Sequence, residues 1–272
     1  MINVRTLEIN ASYVCNLKCK QCANICWLGN KVATTAEVAK TVKAWSSRIR
    51  ANHISVCGGE PLMNPDLLNI LIEIRRGWSE FILVKTNGCF LNKLTEAEIE
   101  WMLKNNAKLW LAFKDTATYE ANQDLLSQLP PKLFHTVKYP GHTNYKWYEA
   151  QQMEDGKLIQ TNNNPQTAYE VCHAKKCVVI HDEKIYMCPK MFWLDYLKDQ
   201  SYRLYPAIPG SHRTVQHSDE QLQQYLSKPS ANCMICPEQL DWQPVVGDIP
   251  QLTPHELAKL SNAAYRQPSP QF

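Results

Sequence analysis

The sequence has no apolar run approaching roughly 18 residues, so nothing in it reads as a membrane-spanning helix. Its start, Met1-Ile2-Asn3-Val4-Arg5, lacks the apolar stretch of a secretory signal. The net charge is only +3 over 272 residues and no basic stripe stands out, so the charge gives no footprint for nucleic acid. The histidines are scattered and form no metal-ligand spacing. No internal repeat or low-complexity segment is visible. With 44% apolar residues the chain can build a sizeable core, which excludes gross disorder. The expectation is a cytoplasmic globular protein with neither a membrane nor nucleic acid as partner.

Cysteine is what the chain has in excess. There are eleven: Cys15, Cys19, Cys22, Cys26, Cys57, Cys89, Cys172, Cys177, Cys188, Cys233 and Cys236. An odd number without an export signal argues against a disulfide scaffold and for metal ligands in a reducing compartment. Cys15, Cys19 and Cys22, in C-N-L-K-C-K-Q-C, put three thiols on one tight loop with no fourth partner in the same turn. Structural zinc takes four ligands, whereas a cubic iron–sulfur cluster takes one thiolate per iron. Three thiolates on such a cube leave one iron open to a ligand that is not protein. Farther on, a β-prone stretch runs into Cys57-Gly58-Gly59-Glu60-Pro61. Paired glycines let backbones approach closely, and a carboxylate can accept from an ammonium group. Thr86-Asn87-Gly88 follows another strand-like run.

The first half alternates strands and helices. Strands are expected over residues 7–11, 53–57, 81–85, 108–113 and 134–139. Helices are expected from Thr34, with Glu37 closing a capping box, over 66–76, from Thr95 with Glu98 to about residue 105, and over 118–129. Repeated strand–helix units imply parallel strands, and ligand sites in such folds gather at the strands' C-terminal ends. The cysteine loop, Gly58-Gly59-Glu60 and Thr86-Asn87-Gly88 all fall there.

After Pro140 the composition shifts to Gly, Asn, Gln, Tyr and Pro, with a break at Asn162-Asn163-Asn164-Pro165. This divides the chain into residues 1–150, 151–250 and 251–272, the last with a helix over 254–265 and a tail. Cys172 and Cys188 bracket a hairpin made of Val178-Val179-Ile180, a turn over 181–184, and Ile185-Tyr186-Met187. Cys233-Met234-Ile235-Cys236 is a C-x-x-C pair. These cysteines can converge on one metal, either zinc or an iron–sulfur cluster.

The three-cysteine loop followed by Gly-Gly-Glu-Pro and Thr-Asn-Gly resembles the radical S-adenosylmethionine (SAM) superfamily. The resemblance implies an open, partial parallel α/β barrel and a [4Fe–4S] cluster on Cys15, Cys19 and Cys22. It also implies SAM chelated to the open iron, with Gly58, Gly59, Glu60, Thr86 and Asn87 around it. Gln21 stands where the family usually has an aromatic or apolar residue against the adenine, and Trp27 is an alternative stacking face or a core residue. The second half resembles the SPASM/Twitch auxiliary-cluster module, a small cysteine-rich unit of a hairpin and helices. The turn glycine of that pattern is absent, Glu183 standing in its place. The implied ligands of a second [4Fe–4S] cluster are Cys172, Cys188, Cys233 and Cys236, with Cys177 the alternate to Cys172.

The activity implied is reductive cleavage of SAM to a 5′-deoxyadenosyl radical and hydrogen-atom abstraction from the substrate. The short chain with one auxiliary site resembles the small Twitch-type dehydrogenases, which implies net oxidation of a small polar molecule. Radical modification of a peptide or protein is the alternative, and a non-catalytic iron–sulfur or zinc protein is the alternative of another class. A reducing partner such as flavodoxin or ferredoxin follows from the chemistry. Cys89 is a candidate hydrogen-atom donor, and Lys85 and Lys114, with Asp115, are candidates to hold substrate or move a proton. Each of the three charged residues has ordinary salt-bridging as its bland role. Cys26 and Cys57 read as small buried hydrophobes, and His173 and His181 as incidental.

Overall fold

The computed structural model describes residues 1–19, 21–26, 29–142, 145–149, 153–154, 157–158, 161–199, 210–245, 249 and 251. Strand β1 (Ile2–Ser12) leads into the cysteine loop, and α1 (Thr35–Trp45) returns the chain to β2 (Ile49–Gly58). Then follow α2 (Leu67–Gly77), β3 (Phe81–Thr86), α3 (Glu96–Lys104), β4 (Ala107–Ala112), two short helices α4 (Thr116–Ala121) and α5 (Gln123–Gln128), and β5 (Phe134–Lys138). Strands β1 to β5 pair in parallel in sequence order. The result is an open, partial parallel α/β barrel.

Both capping boxes form as the sequence implies: Thr34 with Glu37 at α1 and Thr95 with Glu98 at α3. One expected element differs. The single helix over 118–129 is two helices meeting at Asn122, whose side-chain amide donates to the Thr118 carbonyl (2.8 Å). Neither half holds a fully buried residue, Tyr119, Leu125, Leu126 and Leu129 being only half-buried against the core, and the turn at Asn122, whose N–H bonds the Tyr119 carbonyl, separates the two.

Beyond the first half come three two-residue strands, β6 (Lys146–Trp147), β7 (Met153–Glu154) and β8 (Lys157–Leu158), then α6 (Pro165–Val171), with Asn164 as its N-cap. The hairpin is β9 (Cys177–His181) and β10 (Lys184–Tyr186). Its turn is tighter than expected, two residues rather than four. Asp182 takes the left-handed conformation (φ 50°) that a glycine would otherwise supply. Strand β9 pairs in parallel with β1, so the hairpin extends the barrel sheet, and β11 (Arg213–Thr214) adds its outer edge. The eight-stranded order is β11-β10-β9-β1-β2-β3-β4-β5. The helix α7 (Pro189–Asp199) follows the hairpin; α8 (Asp219–Ser227), a 3₁₀ turn at Ala231–Ile235 and β12 (Gln243–Pro244), paired with β6, complete the described chain. Most of residues 150–160, where the expected division falls, and the helix expected over 254–265 lie outside the described residues, as does Trp27. Among the described residues no helix is long and apolar enough to cross a membrane.

The two faces of the sheet differ in chemistry because successive side chains alternate. Leu7, Ile9, Ala11, Ile54, Val56, Ile82, Val84, Leu109 and Leu111 are fully buried. This face packs under α1 to α3, whose own buried stripes are Val38, Val42 and Trp45, then Leu67, Ile70, Leu71 and Ile74, then Met102. The other face carries Thr6, Glu8 and Asn10 on β1, His53, Ser55 and Cys57 on β2, Lys85 on β3 and Trp110 on β4. Parallel strands are usually apolar on both sides. The polar inner face is the departure that matters for function.

Candidate functional site

The cysteine loop is fixed by backbone pairing with the Gly-Gly-Glu segment. Gly59 N–H donates to the Ser12 carbonyl (2.8 Å) and Glu60 N–H to the Val14 carbonyl (2.9 Å). A Cβ on Gly59 would sit 1.8 Å from the Val14 oxygen, and one on Gly58 (φ 115°) would sit 2.1 Å from the Ser12 oxygen. Only glycine permits this approach. Asn24, in the loop, donates to the Gly58 carbonyl (2.9 Å) and clasps the two segments from the far side.

Cys15, Cys19 and Cys22 gather at this edge. The Cys19 thiol is pushed well above its ordinary range by burial and by the charges of Cys22 and Cys15. Leu17 N–H (3.5 Å) and the Asn87 amide (3.6 Å) donate to the Cys15 sulfur. Cys26 lies 3.8 Å from Cys22, sulfur to sulfur, and its hydrogen bond lowers the Cys22 thiol to about 7. Among the described residues, no three His, Cys, Asp or Glu side chains are placed to share a single metal ion. A cubic cluster takes its thiolates on four separate irons, so its ligands surround a larger object than one ion. Three clustered thiols with N–H groups aimed at sulfur are a donor set that suits such a cluster.

Glu60 is buried, and both its oxygens are engaged. One accepts from Thr86 Oγ1 (2.6 Å) and Leu62 N–H (2.9 Å), the other from Asn87 N–H (2.8 Å). Burial lifts its carboxyl to about 7 against these hydrogen bonds, which act to lower it. Glu60 thus ties the end of β2 to Thr86-Asn87 at the end of β3, and Asn87 passes the link on to Asn16 (2.9 Å). Gly58, Gly59, Glu60, Thr86 and Asn87 form one connected rim around the cysteine loop.

Cys89 lies at this rim: its N–H donates to Asn87 Oδ1 (2.9 Å), and burial pushes its thiol up to about 12. Lys114, just beyond β4, donates to the Tyr145 hydroxyl (2.6 Å) and sits 3.7 Å from the centre of the Trp147 ring. Burial lowers it to about 8, against the nearby charges of Cys19, Cys22 and Cys15. Lys85 pairs with Glu8 (3.3 Å) on the inner face, and Asp115 caps α4 through Thr118. Tyr145 and Trp147 have no sequence signature. Glu8 and Asn10 had one, as polar residues at inward positions of an alternating strand.

The second thiol group lies by the hairpin. Cys188 is raised by burial and then by the charges of Cys236, Cys172 and Cys233, and Cys233 goes to about 11 from burial, with Cys236 and Cys172 adding to it. The structure brings Cys172, Cys188, Cys233 and Cys236 within electrostatic reach of one another. Cys177 faces the barrel instead, with Arg5 (3.7 Å), Glu8 and Lys85 about it. Backbone N–H groups of Ala174, Lys175 and Met191 point at Cys172 and Cys188. The C-x-x-C turn is held by Thr161 and Asn163, which donate to the Met234 and Cys236 carbonyls (2.9 and 2.8 Å). His173 adjoins the inner face, and His181 bonds the Tyr13 hydroxyl (3.1 Å).

An open parallel barrel with a three-cysteine loop beside a Gly-Gly-Glu strand end defines a class, and comparison with known proteins agrees. The family model of the radical SAM superfamily matches residues 9–111. Residues 9–111 are thus similar to the radical SAM superfamily, a family whose members hold one [4Fe–4S] cluster and SAM. The chain is 29% identical over 129 residues to GTP 3′,8-cyclase of Paenarthrobacter nicotinovorans, covering 45% of this chain and 36% of that protein. It is 32% identical over 95 residues to the probable GTP 3′,8-cyclase of Methanococcus vannielii, covering 34% and 32%. These matches span about a third of the relatives' length. The solved structure of native anSMEcpe with bound AdoMet and Cp18Cys peptide aligns with a TM-score of 0.38 at 17% identity, covering 50% of this chain and 43% of that one.

Proposed function

We propose that the chain is a radical SAM oxidoreductase acting on a small polar molecule, with a catalytic cluster on Cys15, Cys19 and Cys22 and an auxiliary cluster on Cys172, Cys188, Cys233 and Cys236. When bound, the first cluster with SAM supplies a hydrogen-abstracting radical, and the second supplies an electron acceptor. The chain's own residues position these groups. Gly58 and Gly59 bring the strand end against the cysteine loop, Glu60 locks the rim formed by Thr86 and Asn87, and Lys114 holds a cation toward the site. Residues 151–250 are the auxiliary module in this reading, built onto the barrel sheet through β9. On this reading the protein works in a reducing cytosol, served by a reductant such as flavodoxin or ferredoxin.

The observation that carries the proposal is the sorting of the cysteines into two separate groups, three in the loop after β1 and four around the hairpin. The curated relatives are GTP 3′,8-cyclases by name; with a third of their length matched, GTP is not carried over here. The test is anaerobic reconstitution of the full chain with iron, sulfide, SAM and a reductant. About eight irons per chain and release of 5′-deoxyadenosine are expected, because two four-iron cubes are assigned. Cys19→Ala should abolish 5′-deoxyadenosine. About four irons in the wild type would remove the auxiliary cluster, and unchanged turnover in Cys19→Ala would remove the whole reading.

A further inference from the structure

The inner face of the sheet carries polar groups that the cofactor rim does not use. Asn10 and Ser55 are buried (5% and 0% exposed), yet Asn10 Nδ2 and Ser55 Oγ have no hydrogen-bond partner, and neither does Trp110 Nε1. Buried polar groups are seldom left so, and each calls for an explanation. All three occupy one face: Glu8 stands beside Ser55, Asn10 beside Cys57, and Lys85 beside Trp110. A ligand that meets Asn10 Nδ2 and Trp110 Nε1 must offer acceptors, since an indole N–H and an amide NH₂ only donate.

Charge on this face has one dominant sign. Trp110 lies between two ammonium groups, Lys85 at 5.2 Å and Lys138 at 6.0 Å from the ring centre. Lys85 has Glu8, but among the described residues Lys138 has no carboxylate at ion-pair distance. Arg5, at the foot of β1, donates to the His173 carbonyl (3.4 Å) and likewise has no carboxylate partner there. Arg5 also lines a separate cavity of about 410 Å³ with Glu170, Cys172, His173, Lys176 and Trp242, which none of Asn10, Ser55, Trp110 or Lys138 reaches.

We propose that the inner face from Arg5 to Lys138 is a cation-lined chamber that binds a small molecule bearing an oxyanion, a carboxylate or a phosphate, and further oxygen acceptors. Asn10, Ser55 and Trp110 donate or share hydrogen bonds with it, and Arg5 and Lys138 take its charge. The inference rests on the radical SAM reading only in calling this ligand the substrate. It narrows the class from polar to anionic, and Ser55 and Lys138 become specificity-determining residues.

The experiment is calorimetric titration of the reconstituted full chain, without SAM, with three probes: inorganic pyrophosphate, citrate and neutral myo-inositol. At least one anion should bind about tenfold or more tightly than inositol, and the better of the two assigns phosphate or carboxylate. Lys138→Met and Ser55→Ala should each weaken that anion by about tenfold, the scale of one charged or buried hydrogen bond. Both variants should keep the wild-type melting temperature, since Lys138 is only half-buried and the Ser55 hydroxyl has no hydrogen-bond partner to lose. Inositol binding as tightly as both anions, no binding of either anion, or anion binding indifferent to both variants would overturn the chamber. Separate assay of SAM cleavage keeps the two readings apart. Anion binding without 5′-deoxyadenosine formation defeats the radical reading alone, and cleavage without anion binding defeats the chamber alone.

Discussion

Gly59 shows how one residue sets the edge that carries the cysteine loop. Its N–H and that of Glu60 pair with the carbonyls of Ser12 and Val14, which places the end of β2 flush against the start of the cysteine loop. Alanine there would carry its methyl to 1.8 Å from the Val14 oxygen, a backbone atom that cannot swing aside as a side chain does. The loop must then move, and with it the spacing of Cys15 from Glu60. Displacement of about 1 Å at a reacting site can cost about 100-fold in rate. Gly59→Ala should therefore lower 5′-deoxyadenosine formation by about 100-fold while leaving the iron bound at the hairpin cysteines. Iron counting and product assay on the same preparation check both halves of this, and wild-type turnover in the variant would show that the close approach is dispensable. Glu60 teaches a related lesson. A carboxylate in a Gly-Gly-Glu segment reads from sequence as a ligand contact, but its hydrogen bonds to Thr86, Asn87 and Leu62 show a second duty that holds two strand ends together.

At the scale of elements, most of the barrel was legible because its signals are local. The boxes Thr34/Glu37 and Thr95/Glu98 announce α1 and α3, and alternation announces β1. Strand β1 begins at Ile2, ahead of the expected start at Leu7, because exposed Asn3 and Arg5 interrupt the apolar alternation of Leu7, Ile9 and Ala11. Helical propensity over 118–129 does not reveal the break at Asn122, because it comes from the local turn in which Asn122 bonds the Tyr119 and Thr118 carbonyls. The α1 box also makes a test of charge. Burial acts to raise the Glu37 carboxyl, but Lys31 (2.5 Å) and the Thr34 N–H outweigh it, and the net shift is downward. A depressed carboxyl stabilises the fold above its unfolded value, about 4.3, and that contribution is lost as pH falls through the lower folded value. Glu37→Gln should thus cost about 0.5–1 kcal/mol at pH 7, the scale of a partly exposed ion pair with a cap. The difference should shrink as pH is lowered through about 4. Urea denaturation of both proteins across that range reads it out; a gap independent of pH would assign the effect to packing.

On the scale of the whole molecule, the two thiol groups are joined through a single strand. Strand β1 ends in the loop that carries Cys15, and its free edge receives β9, so that Cys172 before the hairpin and Cys188 after it are anchored to the same sheet. Arg48 reinforces this by donating to the carbonyls of Val215 and His217 and by pairing with Asp219, all within 3 Å, while the N-terminal ammonium reaches Asp219 at 2.7 Å. Sequence spacing could pair the cysteines but could not show that the second group is built onto β1. That fact is non-local, fixed by a register between residues about 170 apart. The inner face runs from Arg5, which donates to the carbonyl of His173 next to Cys172, to Asn87, which donates to the Cys15 sulfur. Under the proposed function, such an arrangement would separate generation of the radical from removal of the second electron. Replacing Cys233 and Cys236 together with serine should then leave about four irons, those of the first cube. The variant should still release 5′-deoxyadenosine when reduced with SAM. It should fail to convert substrate to oxidised product, because the hydrogen atom would leave with no acceptor for the remaining electron. Iron counting, 5′-deoxyadenosine and product measured on one sample decide the matter. If the double variant retained full product formation, the hairpin thiols would be structural. If it lost 5′-deoxyadenosine as well, with its fold intact by circular dichroism, the two groups would act as one centre rather than two.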